Sequence, residues 1–314
     1  MTSLFVATGD AIVRVDEGQA ETALEQEGAQ CVAVDHRNPE RILAGCRGGG
    51  VFESEDGGST WHDAALPATD VFSVAYGPAD GAYAGCEPSA LWARSNGAWE
   101  ELAALRELPS APTWSFPPRP WTSHVRWIAP SPHDADLILA GIELGGLMRT
   151  TDGGATWEDH RPGAQRDVHA LAWHPTEPGR AYEAAGGGSA WSRDRGETWE
   201  PADEGRDRHY TWALAVDPAD PDCWFVSASP GPFEAHGSRP ARAALYRWRG
   251  EGPWEELDLG PSRPLATMPY ALAATSDGLV AALRDGRLYA SDDQGDSWRP
   301  LEADGLTKVV AMAA

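Results

Sequence analysis

Two histidines carry the first chemical suggestion. His124 and His169 stand four and two residues ahead of matching aliphatic–alanine pairs, Ile128-Ala129 and Leu171-Ala172. Imidazole changes charge near neutral pH and also ligates metals. Asp70, Asp167, Glu143 and His209 fall near them on the same side of the pattern described below. Two histidines and a carboxylate are a donor set for a divalent metal ion, here His124 and His169 as its nitrogen ligands, although no short local spacing marks a metal motif. The alternative is acid–base work, with His169 or His124 as the base and Asp167 or Asp70 orienting it. Tyr210 and Glu143 complete the candidate catalytic group. Arg47, Arg126, Arg284 and Lys308 could receive negative charge, and Phe72, Trp212 and Tyr270 could stack on a ligand. Asp70, Glu87, His209 and His236 add polar contacts. The expected ligand is a small polar or anionic molecule.

These residues are scattered over most of the chain, so something periodic must bring them together. An octapeptide recurs as SEDGGSTW (Ser54 to Trp61), TTDGGATW (Thr150 to Trp157), SRDRGETW (Ser192 to Trp199) and SDDQGDSW (Ser291 to Trp298). Worn copies lie at Arg14 to Glu21, Ala93 to Trp99 and Arg247 to Trp254, which brings the count to seven. A second register agrees. An aliphatic–Ala pair recurs at Val32-Ala33, Val74-Ala75, Ile128-Ala129, Leu171-Ala172, Leu214-Ala215, Leu272-Ala273 and Val310-Ala311. After six of these pairs comes a short apolar strand (RILAGC, GAYAGC, LILAGI, RAYEAA, CWFVSA and GLVAAL), and SLFVAT at the N-terminus is the seventh such strand. Repeats of this length that cannot bury their faces alone must stack. A small residue on each first strand suits strands crowded round a common axis.

The octapeptide resembles the Asp box of the BNR repeat family, the sialidase-like and YVTN-like repeat proteins. The resemblance implies an all-β fold: one seven-bladed β-propeller of four-stranded blades over residues 1–314. The chain starts on a second strand and ends on a first strand, so KVVAMAA is expected to complete the N-terminal blade and close the ring. In that family the box is a hairpin turn, with Asp and Ser or Thr bonding turn backbone, Gly at positive φ and Trp packed between blades. Asp56, Asp152, Asp194 and Asp293 are therefore read as structural. True sialidase activity is disfavoured. Arg47, Arg126 and Arg284 could imitate the sialidase arginine triad, and Tyr210 or Tyr270 with Glu143 or Glu87 its nucleophile. However, the Phe-Arg-Ile-Pro motif is absent, sialidases have six blades, and no secretion signal is evident. Xyloglucanase-type relatives pair two propellers, where this chain carries one.

The strand order places the boxes on one face, the bottom, together with His36, His133 and His174, read as solvated turn residues. Box spacing is near 40 residues in most repeats but 57 from Ser95 to Asp152 and 55 from Asp194 to Arg249. The extra residues, about 104–122 and 229–241, fall in connections on the opposite, top face. Stepping two residues back from each aliphatic gives a ring of Gln30, Phe72, Arg126, His169, Trp212, Tyr270 and Lys308. Four back gives Gly28, Asp70, His124, Asp167, Tyr210, Met268 and Leu306, and the second-strand exits add Arg47, Glu87, Glu143 and Arg284. A top-face pocket for a ligand, with chemistry of a hydrolase or lyase kind, is the leading expectation. The competing one is a protein-interaction scaffold built on Trp114, Phe116, Pro117, Pro118 and Trp121. Aromatics folded inward favour the pocket, and a broad exposed patch favours the scaffold.

Composition narrows the partners. The net charge is −23 and the basic residues are 24 Arg with one Lys, which disfavours nucleic acid and anionic membranes. The four cysteines form no CxxC pair and sit in apolar strand contexts, so free buried thiols are expected. The N-terminus reads at once as a strand and no segment has transmembrane length, so a cytoplasmic location is expected.

Overall fold

The computed structural model describes residues 3–78, 80–117, 122–260, 262–275 and 277–314. Trp121 and Pro118 of the proposed aromatic patch lie outside these residues. Seven antiparallel sheets surround a central axis. Blade 1 is Ala29–Asp35, Asn38–Cys46, Gly50–Ser54 and His62–Asp63. Blade 2 is Val71–Tyr76, Ala82–Cys86, Ala90–Ser95 and Ala98–Glu101. Blade 3 is Val125–Pro130, Ile138–Ile142 and Gly146–Thr150, with a single bridge between Arg149 and Glu158 in the fourth-strand position. Blade 4 is Val168–Trp173, Ala181–Ala185, Gly188–Ser192 and Glu200–Pro201. Blade 5 is Tyr210–Val216, Cys223–Ser229, Ala244–Arg249 and Glu255–Leu257, and blade 6 is Pro269–Thr275, Gly278–Leu283, Leu288–Ser291 and Arg299–Leu301. Blade 7 closes the ring: Ala311–Ala313 pairs with Leu4–Ala7, which carries Ala11–Asp16 and Gln19–Glu25. The protein is a seven-bladed β-propeller. Among the described residues no helix is long and apolar enough to cross a membrane.

Burial follows position in the blade. Second strands are sandwiched between neighbouring blades, and Ile138–Ile142, Ala181–Ala185 and Cys223–Ser229 are buried throughout. The outer Gln19–Glu25 strand is mostly exposed. One column in the second strands is always small: Gly45, Gly85, Gly141, Ala184, Ser227, Ala282 and Ala7. A side chain at Gly45 would meet Cys31 and Val71, one at Gly85 would meet Ser73 and Val125, and one at Gly141 would meet Val168. The column is small because the next inner strand packs against it. All four cysteines are free and buried, and burial pushes the Cys46 and Cys86 thiols up to about 12.

The four octapeptides make one repeated turn at the bottom. In the first, Gly58 N–H donates to Ser54 Oγ at 2.9 Å, Thr60 N–H to Asp56 Oδ1 at 2.8 Å and Trp61 Nε1–H to the Gly58 carbonyl at 3.1 Å. The turns at Asp152, Asp194 and Asp293 repeat the first two bonds. Each box tryptophan packs with the preceding blade, as Trp199 does with Leu139. His174 differs from the solvated turn residue expected. It is fully buried, accepts at Nδ1 from the Thr176 and Glu177 amides and donates from Nε2 to the Asp217 carbonyl at 3.0 Å. A turn carbonyl and two turn amides need partners there, and the neutral ring supplies them.

Candidate functional site

The inner strands share a defect that alternation alone cannot reveal. In six blades the pairing of first and second strand slips near its top end: between Ala29 and Cys31, Val71 and Ser73, Val125 and Trp127, Val168 and Ala170, Thr211 and Leu214, and Pro269 and Ala271. A bulge leaves one residue out of the ladder and re-aims its side chain. Gln30, Phe72, Arg126, His169, Trp212 and Tyr270 fall in these slips, and all six line a single axial cavity of about 90 Å³. That volume holds several waters or a small ligand. Lys308 is the exception. The blade 7 inner strand begins only at Ala311, and Lys308 is exposed against Gly9, outside the cavity lining.

Around His124 the groups are tightly coupled. Its ring is buried, stacks on Phe72 at 3.9 Å and meets the edge of Phe116 at 5.0 Å. Nε2 lies 2.7 Å from Glu143 Oε2 and Nδ1 lies 3.3 Å from Glu87 Oε2. Arg126 Nε is 3.6 Å from the same Glu143 oxygen. Burial works to raise the Glu143 carboxyl, but the His124 hydrogen bond and the Arg126 charge outweigh it and hold it below the usual range. Glu143, Asp167 and His169 form a second group, with one ligand atom from each within 4.8 Å of the others. His124 lies outside this cluster, which corrects the expectation that the two histidines would be paired metal ligands. His124 is instead held between two carboxylates.

The insertion at 229–241 folds over the mouth. Its short helix, Pro232–His236, ends on a histidine bridging two tyrosines: Tyr210 Oη lies 2.8 Å from His236 Nε2 and Tyr270 Oη 2.7 Å from Nδ1. Burial first, then the nearby Arg126 and Arg284 charges, push the His236 pKa down to about 4, so the ring is neutral at pH 7. Arg284 donates to the His236 carbonyl at 2.8 Å. Two described aromatics of the first insertion also turn inward: Trp114 is buried, and Phe116 reaches His124. Three guanidiniums lie over three ring aromatics: Arg47 over Phe72 at 5.0 Å, Arg126 over Trp212 at 4.7 Å and Arg284 over Tyr270 at 5.6 Å.

Placement of the remaining candidates is mixed. Asp70 contributes its backbone carbonyl to the Glu87 amide. His209 is exposed. Tyr210 bonds to a histidine and no bond joins it to Glu143 or Glu87, unlike the tyrosine–glutamate pairing considered from the sequence. Thr211 was missed. Its carbonyl accepts from His169 Nδ1 at 2.6 Å, and its hydroxyl accepts from the Ala185 amide at 2.7 Å. Nothing in the linear pattern singled it out, because its role comes from the bulge beside Trp212.

Comparison with known proteins matched no family model and no curated protein. Solved structures are similar in fold. An ancestral GH74 enzyme is 15% identical with a TM-score of 0.67, covering 95% of this chain and 40% of its own. The GH74 xyloglucanase from Xanthomonas campestris is 20% identical with a TM-score of 0.66, covering 96% and 46%. YCF48 from Cyanidioschyzon merolae is 14% identical with a TM-score of 0.59, covering 90% and 86%. The chain thus spans less than half the length of either GH74 enzyme. At these identities the shared property is the seven-bladed β-propeller fold.

Proposed function

We propose that the chain binds a small polar molecule, carboxylate-bearing or otherwise anionic, in the top-face mouth of its central channel. The observation that carries this reading is the repeated bulge, through which six blades aim a side chain into one cavity. Trp212, Tyr270 and Phe72 offer flat faces to a carbon skeleton, and the guanidinium of Arg126 offers a partner to a carboxylate. His124 between Glu87 and Glu143 is equipped to move a proton to or from such a ligand. The four bottom-face turns, with their common hydrogen bonds, are read as Asp boxes of the BNR kind, a structural assignment. The net charge of −23 leaves nucleic acid and anionic membranes as poor partners.

The scaffold reading called for a broad exposed aromatic patch. Among the described residues the exposed large apolar side chains are Phe233, at 87%, and Leu144, at 41%. Trp114 and Phe116 turn inward instead, which favours the pocket. The test is thermal melting with a panel of small hydroxy-carboxylates and sugar acids. At least one member is expected to raise the melting temperature of the wild type and not of an Arg126→Gln/Trp212→Leu variant. If every member leaves the two proteins responding alike, the reading fails.

A further inference from the structure

We infer that Glu143, Asp167 and His169 form a divalent transition-metal site in the wall of the channel mouth. His169 is the decisive residue. It is about 1% exposed, and its Nδ1 lies 2.6 Å from the Thr211 carbonyl. A carbonyl only accepts, so Nδ1 carries a proton. With Nδ1 engaged by Thr211, Nε2 is the ring atom left for another partner. That atom is buried, has no hydrogen-bond partner and lies 3.5 Å from Asp167 Oδ2. One ligand atom each of Glu143, Asp167 and His169 lies within 4.8 Å of the others. Arg126 and His124 reach the Glu143 oxygen, but Nε2 of His169 is left without a partner beside Asp167, a place where a cation would be stabilised.

The spacing is compatible with a bridging metal. A shared proton would draw Nε2 and Oδ2 to an ordinary hydrogen bond of about 2.8 Å. Two ligands each ~2.1 Å from one metal at a tetrahedral angle stand ~3.4 Å apart, close to the observed 3.5 Å. The surroundings also match those of a metal ligand set. Thr211 fixes the tautomer and orientation of His169, and His124 bonds to Glu143 at 2.7 Å, as outer partners of metal ligands do. Gly186 makes room for Asp167: a β-carbon there would stand 1.9 Å from Oδ2. One imidazole with two carboxylates suits zinc or manganese better than calcium, which takes six to eight oxygens. Of the three, His169 also lines the cavity, and three protein ligands would leave further coordination positions for a carboxylate or hydroxyl ligand.

The metal claim shares the pocket of the proposed function but rests on different atoms, so the two can fail separately. Equilibrium dialysis of the full chain against Zn²⁺ or Mn²⁺ alone, followed by elemental analysis, tests it without any organic ligand. One metal per chain is expected, with affinity at least tenfold weaker in Asp167→Asn and His169→Gln. Gly186→Ala, which changes no ligand, is expected to weaken binding through displacement of Asp167. Asp285→Asn, a surface carboxylate paired with Arg287, serves as the control and should bind as the wild type does. Circular dichroism confirms that each variant is folded, and an unfolded variant is replaced in the comparison by Gly186→Ala. A wild type that takes up no metal overturns the inference, as does binding that folded Asp167→Asn and Gly186→Ala retain in full.

Discussion

Single side chains in this protein are tuned by what lies next to them rather than by their type. Glu183 sits on the wholly buried second strand of blade 4. One of its oxygens accepts from the Gln165 amide at 2.9 Å, and the other has no partner. Burial pushes its carboxyl up to about 8, against an ordinary value of 4.5. The folded state therefore holds this proton more tightly than the unfolded chain. Its contribution to stability is full below pH 4.5 and is lost as pH rises through 8. Glu183→Gln keeps the shape without the charge. It is expected to melt a few °C above the wild type at pH 9 and to converge with it near pH 5, as measured by calorimetry across that range. Coincident melting curves at both pH values would remove burial of this carboxylate as a determinant of stability. In the sequence Glu183 was simply one of the two charged letters in RAYEAA. Its neutrality follows from the neighbouring blade that covers it.

At the level of elements, two devices repeat: the turn below and the bulge above. The turn was legible because its hydrogen bonds are local and each partner lies within four residues of another. Thr150 is buried and its hydroxyl oxygen accepts from the Gly154 amide at 3.0 Å. Thr150→Val preserves the shape but strands that amide, at a cost of about 1–3 kcal/mol. Melting is expected to fall by a few °C while ligand and metal binding at the opposite face stay unchanged. An unchanged melting temperature would mean that water replaces the hydroxyl. The bulges were not legible, because a slipped register is a relation between two strands and leaves no mark in either one. Counting back by twos nevertheless found the six residues that reach the cavity. It failed at Lys308, where the inner strand starts too late to present it.

The whole molecule depends on closure. Ala311–Ala313 supplies the inner strand of the blade whose other strands begin at Leu4, and Val6 and Ala7 behind it are fully buried. Removing residues 311–314 would expose that edge and break the ring. A broad, less cooperative melt and concentration-dependent light scattering are expected, and a sharp melt near the wild-type temperature would show that closure contributes little. By itself the sequence determined the seven repeats, the order of strands, the ring-closing strand and the face carrying the long loops. These depend on local turns and on periodic burial, both written along the chain. Only the tertiary structure decided which polar residues meet. It separated His124 from His169, joined His169 to Asp167 and Glu143, and brought His236 between two tyrosines of different blades. Those meetings are set by the angle between blades, by the register of each bulge and by how an insertion folds back. Asp167 and His169 are two residues apart and were paired from the sequence; the other meetings join residues far apart in the chain, and no spacing within it encodes them.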